Sequence, residues 1–254
     1  MWLPLVGLLI GLLVTMFGGG GGFFYVPILT LVFRLPTQIA VATSLAATIP
    51  TAIVGSVEHY RKGNLNLRVG LIFGVAGLAG ALVGAYVSNL VSSVMLKKLF
   101  GAYALALIIP MALTSKKRLK EPGGTAGSSQ PLTGKKIALS SFFGTLSGIM
   151  SGLFGTSGTA SIIAGLYLLD LPVTMVVGTS VLIVLFNVAT GFIGHLLVGQ
   201  FNMIVLLLLA SGSTIGAFLG PRLLAKINVR TLDKVYGVVF ILIVIAFGVI
   251  MLVK

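Results

Sequence analysis

Five consecutive glycines, Gly18 to Gly22, stand between Phe17 and the run Phe23-Phe24-Tyr25-Val26-Pro27, and a second break, Gly155-Thr156-Ser157-Gly158, follows Phe154. Five glycines in a row cannot hold a helix against their backbone entropy, so the first break is predicted to be an unwound turn with bare amides. Bare N–H groups at the start of a helix attract anions, as donors and as the positive end of the helix dipole. In the second break Thr156 and Ser157, with Thr159 just beyond, add hydroxyl donors. No Gly-Lys-Ser/Thr follows the glycine run and no carboxylate is at hand for magnesium, which argues against nucleotide hydrolysis.

Other groups able to do chemistry are few. Thr43-Ser44 and Thr179-Ser180 come early in the apolar runs after the two breaks, with Thr48, Thr51, Asn187 and Thr190 deeper in the same runs. Their polar groups are expected to face the same solute, or to bond back to carbonyls of their own helices. His59 and His195, the only histidines, end those runs; they are candidates for proton coupling or for interfacial helix ends. The four acids, Glu58, Glu121, Asp170 and Asp233, fall at segment ends or in loops, so no buried carboxylate site for a metal or for acid–base catalysis is expected. Cysteine is absent, which removes thiolate and disulfide chemistry. No nucleophile with a base and an oriented acid is evident, so the chain is not expected to be an enzyme, and neither cofactor nor metal is expected.

What must position these groups is a set of membrane helices. Of the 254 residues 57% are hydrophobic and 8% charged, and the mean hydropathy is +1.15. Apolar runs of near-spanning length recur, whereas a transmembrane barrel would show short alternating segments. In the first half they are Leu3 to Phe17, Phe23 to Phe33, Ile39 to Val57, Val69 to Leu90 and Leu99 to Leu113. In the second they are Ile137 to Phe154, Ala160 to Leu169, Val173 to Val198, Met203 to Leu219 and Val235 to Val253. Between the transmembrane units 1–114 and 137–254, residues 115–136 carry six basic residues among Pro, Gly and Ser, and read as a flexible linker. The net charge of +13 lies in loops, where a positive-inside bias accounts for it without nucleic acid. Starting Met1-Trp2-Leu3-Pro4, with no basic residue ahead of the first apolar run, the chain does not read as carrying a cleaved signal peptide.

The halves repeat at a spacing of 136 residues: Leu35-Pro36 on Leu171-Pro172, Thr43-Ser44 on Thr179-Ser180, His59 on His195, Asn66 on Asn202. Phe17-Gly18 meets Phe154-Gly155 at 137, so the glycine break is read as one residue longer in the first half. Counting Lys and Arg tests the orientation of the copies. If each short pair of runs is a re-entrant hairpin, each half crosses three times, the second copy is inverted, and basic residues divide 13 to 4 between the two faces. If each pair is one broken crossing, the copies are parallel and the division is 9 to 8. The positive-inside rule favours inversion, with the linker cytoplasmic. Phe23 to Phe33 then reaches roughly 16 Å, about half the hydrocarbon thickness, and two unwound turns meet at mid-membrane. The expected architecture is all-α and polytopic: two inverted repeats, each a broken-helix hairpin plus three transmembrane helices. Gly70/Gly74, Gly80/Gly84, Gly212/Gly216 and Gly216/Gly220, four apart, are read as helix-packing positions.

The glycine-rich Phe17 to Pro27 break, Ala42-Thr43-Ser44 with Gly178-Thr179-Ser180, the two Leu-Pro turns and the basic central linker together resemble the sulfite exporter TauE/SafE family over essentially the whole chain. The resemblance implies a secondary transporter of the cell membrane that moves sulfite, sulfoacetate or other sulfonates, usually outward. The family's glycine-rich break maps onto Gly18, Gly19, Gly20, Gly21 and Gly22 and less closely onto Gly155 to Gly158, where Thr156 and Ser157 depart from glycine. The expected partners are a small anion and the lipid bilayer, with a homodimer left open. An anion channel, or a transporter of another small anion, is the alternative.

Overall fold

The computed structural model describes residues 2–17, 20–108, 133–169, 171–197, 201–224 and 242–253, and the described residues are all-helical outside turns. Helix α1 is Leu3–Phe17, α2 is Gly22–Pro27 continued by a π-helical turn over Ile28–Val32, α3 is Thr37–Arg61, α4 is Leu67–Leu90 and α5 is Ser93–Ala106. In the second half α6 is Gly134–Phe154, α7 is Thr159–Leu168, α8 is Val173–Leu196, α9 is Met203–Leu224 and α10 is Leu242–Val253. By length and composition α3, α4, α6, α8 and α9 can each cross a membrane. All but the end of the 115–136 linker, and the loop that follows Leu224, lie outside the described residues. Helix α6 starts at Gly134, ahead of its apolar run.

Local sequence sets these boundaries. Pro36 and Pro172 stand just before α3 and α8 in extended backbone, where a residue with fixed φ and no N–H costs the helix nothing. Asn66 opens α4 by accepting from Val69 N at 3.1 Å, and Asn202 opens α9 by accepting from Val205 N at 3.0 Å. Helix α6 stops where Gly155 turns left-handed at φ 68°. Helix α2 contains Pro27, which cannot donate to the preceding turn, and the chain widens into the π turn directly after it. That turn corrects one expectation from the sequence. Gly22 and Thr159, the first residues of α2 and α7, are still 137 apart, whereas Leu35 and Leu171 are 136 apart. The extra residue of the first half therefore lies beyond the glycine break, in the segment that holds the π turn.

Packing exchanges the halves. Helix α4 lies along α6, and α1 lies along α9, with glycines on both sides of each seam. Gly80 and Gly84 meet the α6 backbone at Thr145 and Ile149, while Gly148 and Gly152 meet α4 at Gly77 and Ala81. Gly212 and Gly216 meet the α1 backbone at Pro4 and Leu8 in the same manner, Gly220 meets the Thr15 side chain, and Gly70 and Gly74 receive Leu182 and Phe186 of α8. Between them α3 and α8 run antiparallel: Leu45, Gly55 and His59 face Gly191, Val181 and Gly178 in turn. The glycine pairs are thus packing positions, as their four-residue spacing suggested. Valine at Gly84 would place its Cβ 2.8 Å from Leu153 N and should cost about 1–3 kcal/mol, as overpacking does. Alanine at Gly134, which meets nothing within 4 Å, should change stability by less than about 0.5 kcal/mol. Thermal unfolding of the two purified variants reads the difference; equal melting temperatures would contradict this packing.

Candidate functional site

The two breaks meet between the halves. Gly20 N donates to Thr159 Oγ1 at 2.9 Å, and Gly20 lies directly against the side chain of Ser157, its counterpart at spacing 137. Gly22 lies against the backbone of Gly155 and Thr156. Short helices α2 and α7 both begin at this crossing, so two helix starts with the positive ends of their dipoles lie together. Gly18 and Gly19 are outside the described residues.

The second break is wound tightly. Gly155, Ser157 and Gly158 have φ of 68°, 64° and 65°. For serine the left-handed region costs on the order of 1 kcal/mol, a strain that clusters at functional positions. Thr156 and Ser157 are fully buried, and Ser157 Oγ, like Ser151 Oγ and Asn187 Oδ1, has no hydrogen-bond partner among the described residues. A buried hydroxyl without a partner is a donor kept available.

Of the other predicted residues, some reach the crossing and some brace it. Ser44 Oγ donates to Gly155 O at 3.2 Å, which ties α3 to the second break. Asn187 Nδ2 donates to Ser147 Oγ at 2.9 Å. Thr43 Oγ1 instead accepts from Asn202 N at 3.1 Å, and Thr179 Oγ1 accepts from Asn66 N at 2.9 Å. Each of these threonines thereby satisfies an amide at the start of a helix in the other half. Thr48 Oγ1 bonds back to Ser44 O at 2.8 Å and Ser180 Oγ to Val177 O at 2.7 Å, the local alternative raised from the sequence.

His59 and His195 lie in the last turns of α3 and α8 and are buried in the protein, at 0% and 1% exposure. Nε2 of His59 lies 3.0 Å from Thr15 O, and Nε2 of His195 lies 2.8 Å from Gly152 O. A carbonyl only accepts, so each ring carries its proton on Nε2 and fastens the last turn of α1 or α6.

Glu58 lies at the end of a segment, as expected, but it is buried. It is 5% exposed, with Oε1 3.7 Å from Arg61 Nη1 and Oε2 3.5 Å from Arg222 Nε, while Lys62 Nζ donates to Pro221 O. Arg61, three residues on in the same helix, could be read from the sequence as one partner, but Arg222 could not, because it comes from α9. Among the described residues no three His, Cys, Asp or Glu side chains come together in a way that could hold a metal ion.

The sulfite exporter TauE/SafE family model matches residues 3–247. The Bacillus subtilis protein named "Probable membrane transporter protein YdhB" is 30% identical over 223 residues, covering 87% of this chain and 89% of that protein. Bacillus subtilis "Probable membrane transporter protein YunE" is 28% identical over 257 residues, 95% of this chain and 94% of its own length. "Probable membrane transporter protein MJ0441" of Methanocaldococcus jannaschii is 31% identical over 202 residues, 76% of this chain and 71% of that protein. No solved structure matches significantly. With a family match over nearly its whole length and five helices able to span, the chain is a multi-pass membrane protein belonging to the sulfite exporter TauE/SafE family of membrane transporters.

Proposed function

We propose that this protein is a secondary transporter that exports small sulfur-containing oxyanions, such as sulfite, sulfoacetate or other sulfonates, by alternating access of two inverted halves around the crossing of residues 20–22 and 155–158. The observation that carries this reading is the contact of Gly20 with Ser157, equivalent residues of the two breaks, at the start of both short helices. Inversion is supported by the antiparallel course of the equivalent helices α3 and α8. It is supported again by Lys62 and Glu58 meeting Pro221 and Arg222, which brings two of the basic loops to one end of the molecule. That end, rich in Lys and Arg, is the cytoplasmic one in this reading. An inside-negative potential favours anion exit by about 2.3 kcal/mol per charge per 100 mV, so export needs no nucleotide. The shut crossing, with Thr156 and Ser157 fully buried, favours a carrier that alternates over an open pore.

Proteoliposomes containing the purified protein, screened with sulfite, sulfate, sulfoacetate and taurine at defined potential and pH, test the reading. Saturable uptake accelerated by trapped substrate is expected of a carrier, and single-channel currents would favour the channel instead. Ser157→Ala, which removes one donor to a charged group, should slow transport about five- to tenfold with the protein still inserted. A wild-type rate in that variant would remove Ser157 from the site.

A further inference from the structure

Three hydroxyls outside the breaks converge beside them at the middle of α3. Thr51 Oγ1 on α3 lies 2.8 Å from Ser213 Oγ on α9, and Tyr25 on α2 places its hydroxyl beside the same serine without a hydrogen bond of acceptable geometry. All three residues are buried, at 2%, 0% and 1% exposure respectively. The Tyr25 ring covers Gly21, where an added Cβ would stand 2.8 Å from ring atom Cζ, so the phenol is packed directly on the first break.

Proton accounting shows what the trio can do. Each hydroxyl carries one proton and two lone pairs. Thr51 has Ala47 O at 3.3 Å as a second acceptor, and Ser213 has Ala210 O at 3.3 Å. Both of those bonds are long, so either hydroxyl can turn away at small cost. The Tyr25 proton has no acceptor among the described residues. Ser213 and Tyr25 can therefore both point at one oxygen, with Thr51 joining them only where it gives up its 2.8 Å bond to Ser213, and none of the three is charged.

Neutral donors set the charge of what they hold. No Lys or Arg is buried among the described residues, and the cost of bringing an ion out of water rises with the square of its charge. A doubly charged anion would meet about four times the desolvation of a singly charged one, with no cation to offset it. In the second half the equivalent positions are Ile162, Asn187 and Gly77, and Asn187 turns its unpartnered Oδ1 onto Gly77. A carbonyl oxygen repels an anion, so the favourable position is off-centre, toward the first half.

We propose that the hydroxyls of Tyr25, Thr51 and Ser213 form a subsite that binds an oxygen of a singly charged oxyanion head group, such as a sulfonate, and discriminates against a doubly charged one such as sulfate. The proposal rests on the transporter reading above. Its test uses methanesulfonate and sulfate as a pair of similar size and different charge, in proteoliposomes of the full chain. Wild type should take up methanesulfonate with a KM at least about tenfold below that for sulfate, and Tyr25→Phe, which loses only the hydroxyl, should raise the methanesulfonate KM about tenfold. Thr51→Val, close in shape, should do the same should the phenylalanine variant fail to insert. Because the chain has no cysteine, Ser213→Cys offers a single thiol, and methanesulfonate should slow its alkylation. Uptake with an unchanged KM in Tyr25→Phe, or unprotected alkylation at position 213, would overturn the subsite and leave the transporter standing. Equal KM values for the two anions would overturn the charge discrimination. Failure of the wild-type protein to carry any anion of the wider screen would bring down both readings.

Discussion

Alanine at Gly22 should abolish transport, and no second side-chain deletion should recover it, whereas alanine at Gly20 should be recoverable. The difference lies in what each methyl group would strike. At Gly22 an added Cβ overlaps the Gly155 carbonyl oxygen and comes within 2.6 Å of Gly155 C and 2.8 Å of Thr156 Cα. All of these are backbone atoms, held by Gly155 N donating to Ser151 O at 2.7 Å and by Ser44 Oγ on Gly155 O. Overpacking against a fixed backbone costs about 1–3 kcal/mol in stability, and here it also separates the two breaks whose contact defines the site. At Gly20 the added atom meets the Oγ and Cβ of Ser157, a side chain that can be removed. Ser157→Gly clears that space and also relieves a serine held at φ 64°. In a double-mutant cycle, Gly20→Ala with Ser157→Gly should therefore melt near wild type and transport like Ser157→Gly alone, with a coupling of about 1–3 kcal/mol between the positions. Normal transport by Gly22→Ala, or Gly20→Ala behaving alike with and without Ser157→Gly, would mean that the two breaks do not touch.

That the breaks face each other was legible in the sequence, because a duplication is recorded by its rare residues. His59 with His195, Asn66 with Asn202 and the Leu-Pro turns fixed a register of 136 residues, and Phe17-Gly18 with Phe154-Gly155 the spacing of 137 that carries Gly20 onto Ser157. Roles within that register were harder to read. Thr43 and Thr179 were read as facing the solute or bonding back to their own helices, yet each hydroxyl accepts from an N-cap amide in the other half, and a residue's type and helical face say nothing of such distant partners. Glu58 reads as a loop-proximal acid until Arg222 is folded over it. Tyr25 and Ser213 escaped notice because a search for matched residues passes over positions whose counterparts, Ile162 and Gly77, have no polar side chain. The displaced extra residue has a similar cause: five identical glycines offer no landmark, so only the helix starts at Gly22 and Thr159 show that the break itself is not the longer element.

Glu58→Gln should open the end of the molecule that carries Arg61, Lys62 and Arg222 while leaving the other end shut. Glu58 joins α3 to α9 through Arg222, whose side chain is 49% exposed and stacks its guanidinium 3.6 Å over the Phe218 ring. At the opposite end the equivalents of Glu58 and Arg222 are Gly194 and Tyr86, and Gly194 packs on Ala85, where an added Cβ would lie 2.7 Å from the alanine methyl. One end is thus fastened by charge and the other by close apolar packing. Removing one partner of a buried ion pair costs about 3–5 kcal/mol; with the arginine half in solvent, about 2 kcal/mol is expected, or about thirtyfold in the opening equilibrium. The absence of native cysteine allows single reporters at Val177 and at its counterpart Val41, both buried, on α8 and α3 near the two ends. In Glu58→Gln, a membrane-impermeant maleimide applied from the linker side should label Val177→Cys about thirtyfold faster, and labelling of Val41→Cys from the far side should not rise. High salt should reproduce part of the effect in the wild-type background, because an ion pair with one exposed partner is screened. Exchanging the charges, Glu58→Arg with Arg222→Glu, should restore slow labelling. An unchanged rate at position 177, or equal acceleration at 41 and 177, would show that the ion pair does not control one end, and the two ends would then have to open by the same packing change.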